Sequence, residues 1–400
     1  MEAACVRRVA LVARDGLFFK DGRGWHTSAS GRGHALDWPW PSTVLGALRA
    51  AWGRACEADT GEALEGEAWP RRTSGLRLAA TLALRSPLPT HDGAWAEDRT
   101  WRVEDRVWPA PRDAVWLEGR ARARRLDPAP NLGLPTLGRD DDPARESLWR
   151  AHLDEVEKPL PGARWWTEDQ FADWLAGRPV TDHRPHRSLG PSRRLQVHVG
   201  IAGEQLTADD GVLFSHEVVE TLDRGAEWAL GVEVSLPEGR LPPTLTLGSD
   251  RRIVQAEPLD GAVFEPPARL MQAFRGGVPG LRLVAVTPSC FAQGWLPDGL
   301  LPQEGAIRGR LAGLDGEVVL RSALVPRPLH VSGWDMASRR PKATDRMVAP
   351  GAVYFLARTD GRPFGEVDAL AMWLAALGRR TDEGFGRVVP GVWHPKGDAA

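Results

Sequence analysis

Three cysteines, one tyrosine and four lysines are all that 400 residues hold of those types, and no apolar run approaches the length of a membrane span. Each scarcity excludes something. Cys5, Cys56 and Cys290 are odd in number and far apart, which argues against a disulfide framework and against a zinc site. A reducing cytoplasm is the expected setting. A bilayer crossing needs about 20 consecutive apolar residues, so no transmembrane helix is expected. The first residues, MEAACVRRVALVARDG, lack the apolar stretch and cleavage pattern of a secretory signal and read as a first β-strand. The formal net charge of −2 lacks the strongly basic balance that marks many nucleic-acid-binding domains, so any such site must be local.

With lysine confined to Lys20, Lys158, Lys342 and Lys396, nearly all positive charge is arginine. Base composition of the gene accounts for such a bias by itself. It still has a physical effect, because guanidinium makes planar bidentate bonds to phosphate and stacks on bases, which ammonium cannot do. The hydrophobic fraction of 42% and charged fraction of 26% are those of a folded globular chain, and the length exceeds one ordinary core.

Apolar runs with strand character occur at 6–13, 76–84, 195–201, 228–236, 281–286, 318–324 and 352–356. Three helices carry signals. One is expected to open with Ser42 as N-cap and to bury Val44, Leu48 and Trp52. A second follows Thr167, where TEDQ forms a capping box, with Phe171, Trp174 and Leu175 on one face and Gly177 as its end. The third, GEVDALAMWLAALG, is expected to bury Val367, Leu370, Leu374 and Leu377 and to stop at Gly378. The region 86–164 is rich in Trp, Arg, Asp and Pro with little periodicity, and reads as an insertion of short hairpins rather than a further core. A break near 258–267 divides the chain. The expectation is an α+β protein of two ferredoxin-like domains, at 1–260 (with the insertion at about 86–164) and 261–400.

Four stretches offer chemistry. ARDGLFFKDGRGWHTSASGRGH at 13–34 joins a strand to a helix and mixes glycines with Lys20, Arg23 and Arg32, so backbone N–H groups and cations can meet phosphate there. It matches neither a Walker A motif nor a dinucleotide fingerprint. TDEGFGRVVPGVW at 381–393 brackets Phe385 with Gly384 and Gly386 and continues with Arg387; Phe385 either stacks on a base or plugs the core. LGSDRRIVQAE at 247–257 places Arg251 and Arg252 at a turn. SGWDMASRRPKATDRM at 332–347 combines Trp334 with Arg339, Arg340 and Lys342, a set able to hold a phosphate and stack a base. No carboxylates converge with metal-site spacing and no Ser-His-Asp set stands out, so no cofactor, metal or catalytic residue is assigned.

Taken in order, GLFFKDGRGW, DWPWPSTVLGALRAAWG, WWTEDQFADWLAG, VHVGIAGEQLTADDGVLFSHEVV, LGSDRR, VTPSCFAQGWLP, VSGWDMASRRPKATDRMVAPGAVYF and TDEGFGRVVPGVW resemble a RAMP-superfamily subunit of type III-B CRISPR (Cmr) effector complexes, the one near the 5′ end of the guide RNA. The resemblance spans nearly the whole chain. It implies two ferredoxin-like (RRM-like) domains and binding of the repeat-derived 5′ handle of the crRNA. It also implies docking on the large polymerase/cyclase-like subunit and on the first backbone RAMP subunit, without nuclease activity of its own. By residue, it carries the basic N-terminal loop onto Phe19, Lys20, Asp21, Gly22 and Arg23, and the helix start onto Pro41, Ser42 and Thr43. The remaining elements fall on Gly333, Trp334, Asp335, Pro341 and Lys342, and on Gly384, Phe385, Gly386 and Arg387. GRGW departs from the more usual Gly-Arg-Pro-Phe, and 86–164 finds no counterpart.

RRM-type proteins lay single-stranded RNA on a sheet face, usually through aromatic rings. A dense aromatic signature is missing here, so phosphate contacts, glycine amides and arginines are expected to dominate, with Arg49 on the helix face of Ser42 among them. The alternative is a repeat-processing endoribonuclease of the same superfamily using His26 or His34 with Lys20, since imidazole titrates near neutrality. A protein scaffold that touches no RNA is the third reading.

Overall fold

The computed structural model describes residues 5–20, 31–33, 35–88, 100–130, 148–153, 155–181, 189–223, 225–303, 305–335, 338 and 340–395. The protein is a mixed, strand-rich α+β structure with few helices. Its internal contacts fall into two units. Unit 1 comprises Met1–Asp105, Gly190–Val263 and His330–Asp345; unit 2 comprises Arg106–Leu189, Phe264–Leu329 and Arg346–Ala400. The chain changes unit at Val263/Phe264, inside the break read at 258–267. It also changes at Asp105/Arg106, so most of the 86–164 region belongs with the C-terminal stretches.

The main strands of unit 1 are β1 (Cys5–Ala13), β3 (Arg77–Pro87), β6 (Ala226–Leu236), β7 (Thr244–Thr246) and β8 (Ile253–Pro258), and they run side by side in the order β3-β6-β1-β8-β7. Every pairing among them is antiparallel, with Ala10 opposite Gly231 on one side and Glu257 on the other. Helix α1 (Pro41–Thr60) buries Val44, Leu45, Leu48 and Trp52 against Leu11, Leu78, Val232, Val234, Leu245 and Val254. The stripe is the expected one, but the cap is not Ser42. Trp40 is the extended N-cap residue, with no side-chain cap, and Pro41 takes the first helical position, where its fixed φ and missing N–H cost nothing. Ser42 is thus already inside the helix. A second, smaller sheet joins β4 (Arg193–Ile201), β5 (Ala208–Val219) and β2 (Gly31–Gly33) in that order, with β5 and β2 parallel.

Unit 2 centres on four antiparallel strands, β9 (Gly280–Ala285), β10 (Val318–Leu324), β11 (Val353–Arg358) and β12 (Arg387–Trp393), ordered β10-β11-β9-β12. The hairpin Leu300–Gln303/Ala306–Gly309 extends the β10 side and Ala375–Ala376 the β12 side. In helix α2 (Glu168–Leu175) the capping box forms as read: the Gln170 amide donates to Thr167 Oγ1 at 3.3 Å and the Thr167 amide to Gln170 Oε1 at 3.1 Å. Gly177, at φ 80°, follows the helix end.

Two expectations fail in unit 2. Helix α3 stops early, at Glu366–Met372, because Leu374 adopts φ 55° and the chain turns extended at Trp373. Its buried residues are Ala369 and Met372, whereas Val367 and Leu370 are 82% and 59% exposed; Leu377 is buried beyond the break. The stripe assumed helical spacing across a break. Within the supposed insertion at 86–164, Trp108 and Trp116 are essentially inaccessible and belong to a core, as do Trp166 just beyond it and Trp174 of α2. They are packed with charge. Arg106 donates to both carboxylate oxygens of Glu168 at 2.9 and 2.7 Å, and Trp108 Nε1 donates to the same carboxylate at 2.6 Å. Arg282 of β9 pairs with Asp113, both fully buried, while Trp174 Nε1 donates to Asp113 at 2.8 Å. Every guanidinium nitrogen of Arg106 and Arg282 donates a hydrogen bond, and each head group meets a carboxylate, which makes burial tolerable.

Candidate nucleic-acid interface

Between β8 and the start of the small sheet, unit 1 gathers arginines and carboxylates. Ser249–Arg251 forms a short 3-10 turn whose Ser249 amide donates to the Phe18 carbonyl at 2.9 Å. Arg252 leaves that turn toward Asp15, with which it is ion-paired, and donates to Gln196 Oε1 at 3.3 Å. Arg194 donates to Glu220 at 2.6 Å, and Arg193 pairs with Asp37 and, at 3.0 Å, with Glu217. Charge here is mutually satisfied. Arg251 differs: it sits at φ 50° with its side chain exposed and no ion pair among the described residues.

Behind this layer lies a ring pile that sequence reading missed. Phe18 stacks on His216 (centroids 4.1 Å, 18° between planes), His216 on His198 (4.7 Å, 15°) and His198 on Phe214 (5.1 Å, 10°). The register explains it, since His198 faces Phe214 across the β4–β5 ladder and His216 sits two residues along. His216 is buried, and burial followed by the neighbouring His198 holds its pKa below the usual 6.5 against a weaker pull from Asp250. Alternation of His198, Phe214 and His216 on one face of two strands was the available signal.

The third stretch forms a short ribbon. Trp334–Asp335 pairs with Arg340–Pro341, Trp334 opposite Pro341, and the Lys342 amide donates to the Gly333 carbonyl at 2.8 Å. Trp334 is 56% exposed, Arg340 and Lys342 are exposed, and neither cation has an ion pair among the described residues. By register Trp334 shares its face with Pro341, whereas Arg340 and Lys342 lie on the other face with Asp335 and Gly333, so the ribbon carries an open indole and two exposed cations on opposite sides and not as the single cluster expected from the sequence.

Other sequence candidates are placed differently. Lys20 bridges to Ala35. Ser42 and Thr43 lie half-buried in the first turn of α1, and Arg49 donates to the Leu76 carbonyl at 3.3 Å. Gly22, Arg23, His26, His34 and Arg339 lie outside the described residues. In unit 2, Phe385 is fully buried, with the Arg380 guanidinium 4.8 Å over its ring; of the two sequence readings, it plugs the core. The Gly384 amide donates to Thr381 at 3.0 Å and that of Gly386 to Pro288 at 2.8 Å, while Arg387 reaches the Thr381 carbonyl at 3.0 Å. The terminal loop spends these donors on itself and on the 287–288 segment. Unit 2 also has an open cleft of about 620 Å³ lined by Arg112, Arg327, Leu324, Pro326 and Leu329.

The three cysteines are free. Among the described residues no group of three or more His, Cys, Asp or Glu side chains is arranged to hold a metal ion, and no helix is long and apolar enough to cross a membrane.

Comparison with known proteins identifies the family. The model of a family of CRISPR-associated proteins, Cas_Cmr3, matches residues 9–393. The chain belongs to the Cas_Cmr3 family, and is a Cmr subunit by that membership. No curated protein matches it. Two solved structures show similarity: a type III-B Cmr-beta bound to cognate target RNA and AMPPnP (TM-score 0.41) and the same kind of assembly bound to cognate target RNA (TM-score 0.38). In each the identity is 11%, over 87% of this chain and 86% of the other.

Proposed function

We propose that this protein is a non-catalytic, RNA-binding subunit of a cytoplasmic type III-B CRISPR ribonucleoprotein for antiviral RNA targeting. In this reading it anchors the 5′ handle of the crRNA and links the large polymerase/cyclase-like subunit to the backbone RAMP subunits. The observation that carries the reading is the ribbon of Trp334, Arg340 and Lys342 in a chain whose match to the family runs from 9 to 393. Exposed Arg251 offers a further phosphate contact on the same unit.

Both units are read as ferredoxin-like. What supports this is the strand order: in each, the second, third, first and fourth central strands lie side by side and antiparallel. Each keeps one helix of the pattern, α1 after the first strand of unit 1 and α3 after the third strand of unit 2.

The test is binding of labelled repeat-derived RNA to the purified full chain, followed against salt and without added metal. The expected result is retention of intact RNA, with affinity lowered in Arg340→Ala and Lys342→Ala. Each loss should reduce the salt slope by roughly 0.7, the single-strand value per phosphate contact. Clean cleavage abolished by His26→Ala would establish the endoribonuclease instead, and no RNA binding at all would establish the scaffold.

A further inference from the structure

Two exposed arginines of unit 2 edge the same cleft. The opening of about 620 Å³ is lined by Arg112 and Arg327 together with Ala323, Leu324, Val325, Pro326, Leu329 and Ala349, and no carboxylate is in the lining. Neither guanidinium has an ion pair among the described residues. Several other surface arginines of the unit are held by carboxylates: Arg120 by Glu157, Arg269 by Asp169 and Arg362 by Asp360. The acid beside Arg112 in sequence, Asp113, is fully buried and spent on Arg282 and Trp174. One solvated arginine is ordinary. Two that edge one cleft with no acid between them make a local positive site in a chain of net charge −2.

The backbone fixes both positions. The Arg112 amide donates to the Gly351 carbonyl at 2.8 Å. Gly351 holds φ 88°, and a Cβ there would lie 2.5 Å from the Ala110 carbonyl oxygen, so the 110–112 loop is seated directly on the segment that follows Ala349. Arg327 stands between Pro326 and Pro328. Each proline ring fixes its own φ and disfavours the helical region for the residue before it, which leaves Val325 and Arg327 few backbone states. Cations presented on such a frame lose little further backbone entropy when they are bound.

Charge selects an anion here, and shape selects a polymer. Guanidinium matches phosphate oxygens in planar, bidentate fashion. The aliphatic floor offers a sugar or a base a surface to cover. Pockets for free small ligands bury about 70–90% of the ligand, which an open cleft does not do. A strand passing over the cleft gains further contacts on either side. An extended peptide would instead draw main-chain hydrogen bonds from the lining segment, where Pro326 and Pro328 have no N–H to give.

We propose that this cleft of unit 2 holds backbone phosphate of single-stranded RNA through Arg112 and Arg327, with the attached sugar or base against Leu324, Pro326 and Leu329. The proposal deepens the RNA-binding function given above and rests on that reading. It is a contact separate from the ribbon, since Trp334, Arg340 and Lys342 belong to unit 1.

The experiment follows binding of labelled repeat-derived RNA to the full chain against salt. It compares wild type, Arg112→Ala/Arg327→Ala and the control Arg310→Ala, which removes another exposed arginine of unit 2 outside the cleft. Affinity should fall at least fivefold in the double variant, and the salt slope should drop by roughly 0.7 for each phosphate neutralised. The control should bind like wild type, and all three melting midpoints should agree. In the wild type, crosslinks from thiouridine-substituted RNA should map to the peptide holding 323–329, a readout that needs no variant, and excess AMP should not displace them. If wild type binds RNA but the double variant matches it in affinity and slope, or the crosslinks fall only on other segments, the cleft proposal is overturned and the RNA-binding function stands. A wild type that binds no RNA overturns both. Displacement by AMP assigns the cleft to a free nucleotide instead. A double variant that keeps RNA but loses protein subunits on co-expression assigns it to an acidic peptide.

Discussion

The imidazoles of His198 and His216 lie face to face at 4.7 Å on neighbouring strands, and three of their ring nitrogens are buried without a hydrogen-bond partner. Burial, then the neighbouring His198 ring and, more weakly, Arg252 disfavour a charge on His216, against a pull from Asp250.

This geometry sets a pH dependence. The pKa of His216 is lowered from 6.5 by burial first, and by His198 next. An unfolded chain then binds more protons than the folded one between the lowered value and 6.5, so stability rises with pH through that window. The contribution is fully present above 6.5 and is lost as pH falls through the folded pKa. Thermal unfolding followed from pH 7.5 down to 5 should show a falling midpoint. His216→Phe, which keeps the stack, should flatten the decline.

Arg251 and Arg252 are adjacent in sequence and opposite in role. Arg252 is tied to Asp15 and Gln196, whereas Arg251 is exposed without an ion pair. Arg251→Ala should weaken RNA binding and leave the melting midpoint within error. Arg252→Ala should lower stability by about 1 kcal/mol, the size of a partly buried hydrogen-bonded charge pair. Filter binding and thermal denaturation of the two single variants separate these effects.

Asp113 and Arg282 are a fully buried ion pair in unit 2. Asp113→Ala leaves the Arg282 charge uncompensated and should cost about 3–5 kcal/mol in chemical denaturation. The double replacement Asp113→Leu/Arg282→Met should recover most of that loss, because removing both charges removes the desolvation penalty as well.

Gly386 holds φ 73°, and a Cβ there would collide with the Leu377 carbonyl oxygen, whose own residue donates its amide to Gly386 at 2.9 Å. Gly386→Ala should therefore destabilise unit 2 by at least about 2 kcal/mol. It should affect RNA binding only through that loss, so binding measured well below the melting midpoint should match wild type.

What could be read from the chain was whatever depends on near neighbours. Apolar runs marked strands of both sheets, Thr167 and Gln170 announced their capping box, and Val44, Leu48 and Trp52 announced their stripe, because backbone geometry fixes side-chain direction over a few residues. That Trp334, Arg340 and Lys342 share one short segment was legible in the sequence; that the indole and the cations take opposite faces of a ribbon depends on its register and was not. What stayed hidden depends on partners far away in sequence. Arg282 and Asp113 are charged residues whose burial is possible only because each meets the other 169 positions apart. Phe385 is core because Arg380 and the Gly386 turn close over it. Leu195, Val197 and Val199 have the alternation of a buried face, yet point outward because rings from Phe18, His198, Phe214 and His216 already occupy the inside. Periodicity states that two faces differ; only the packed structure decides which of them the protein keeps for itself.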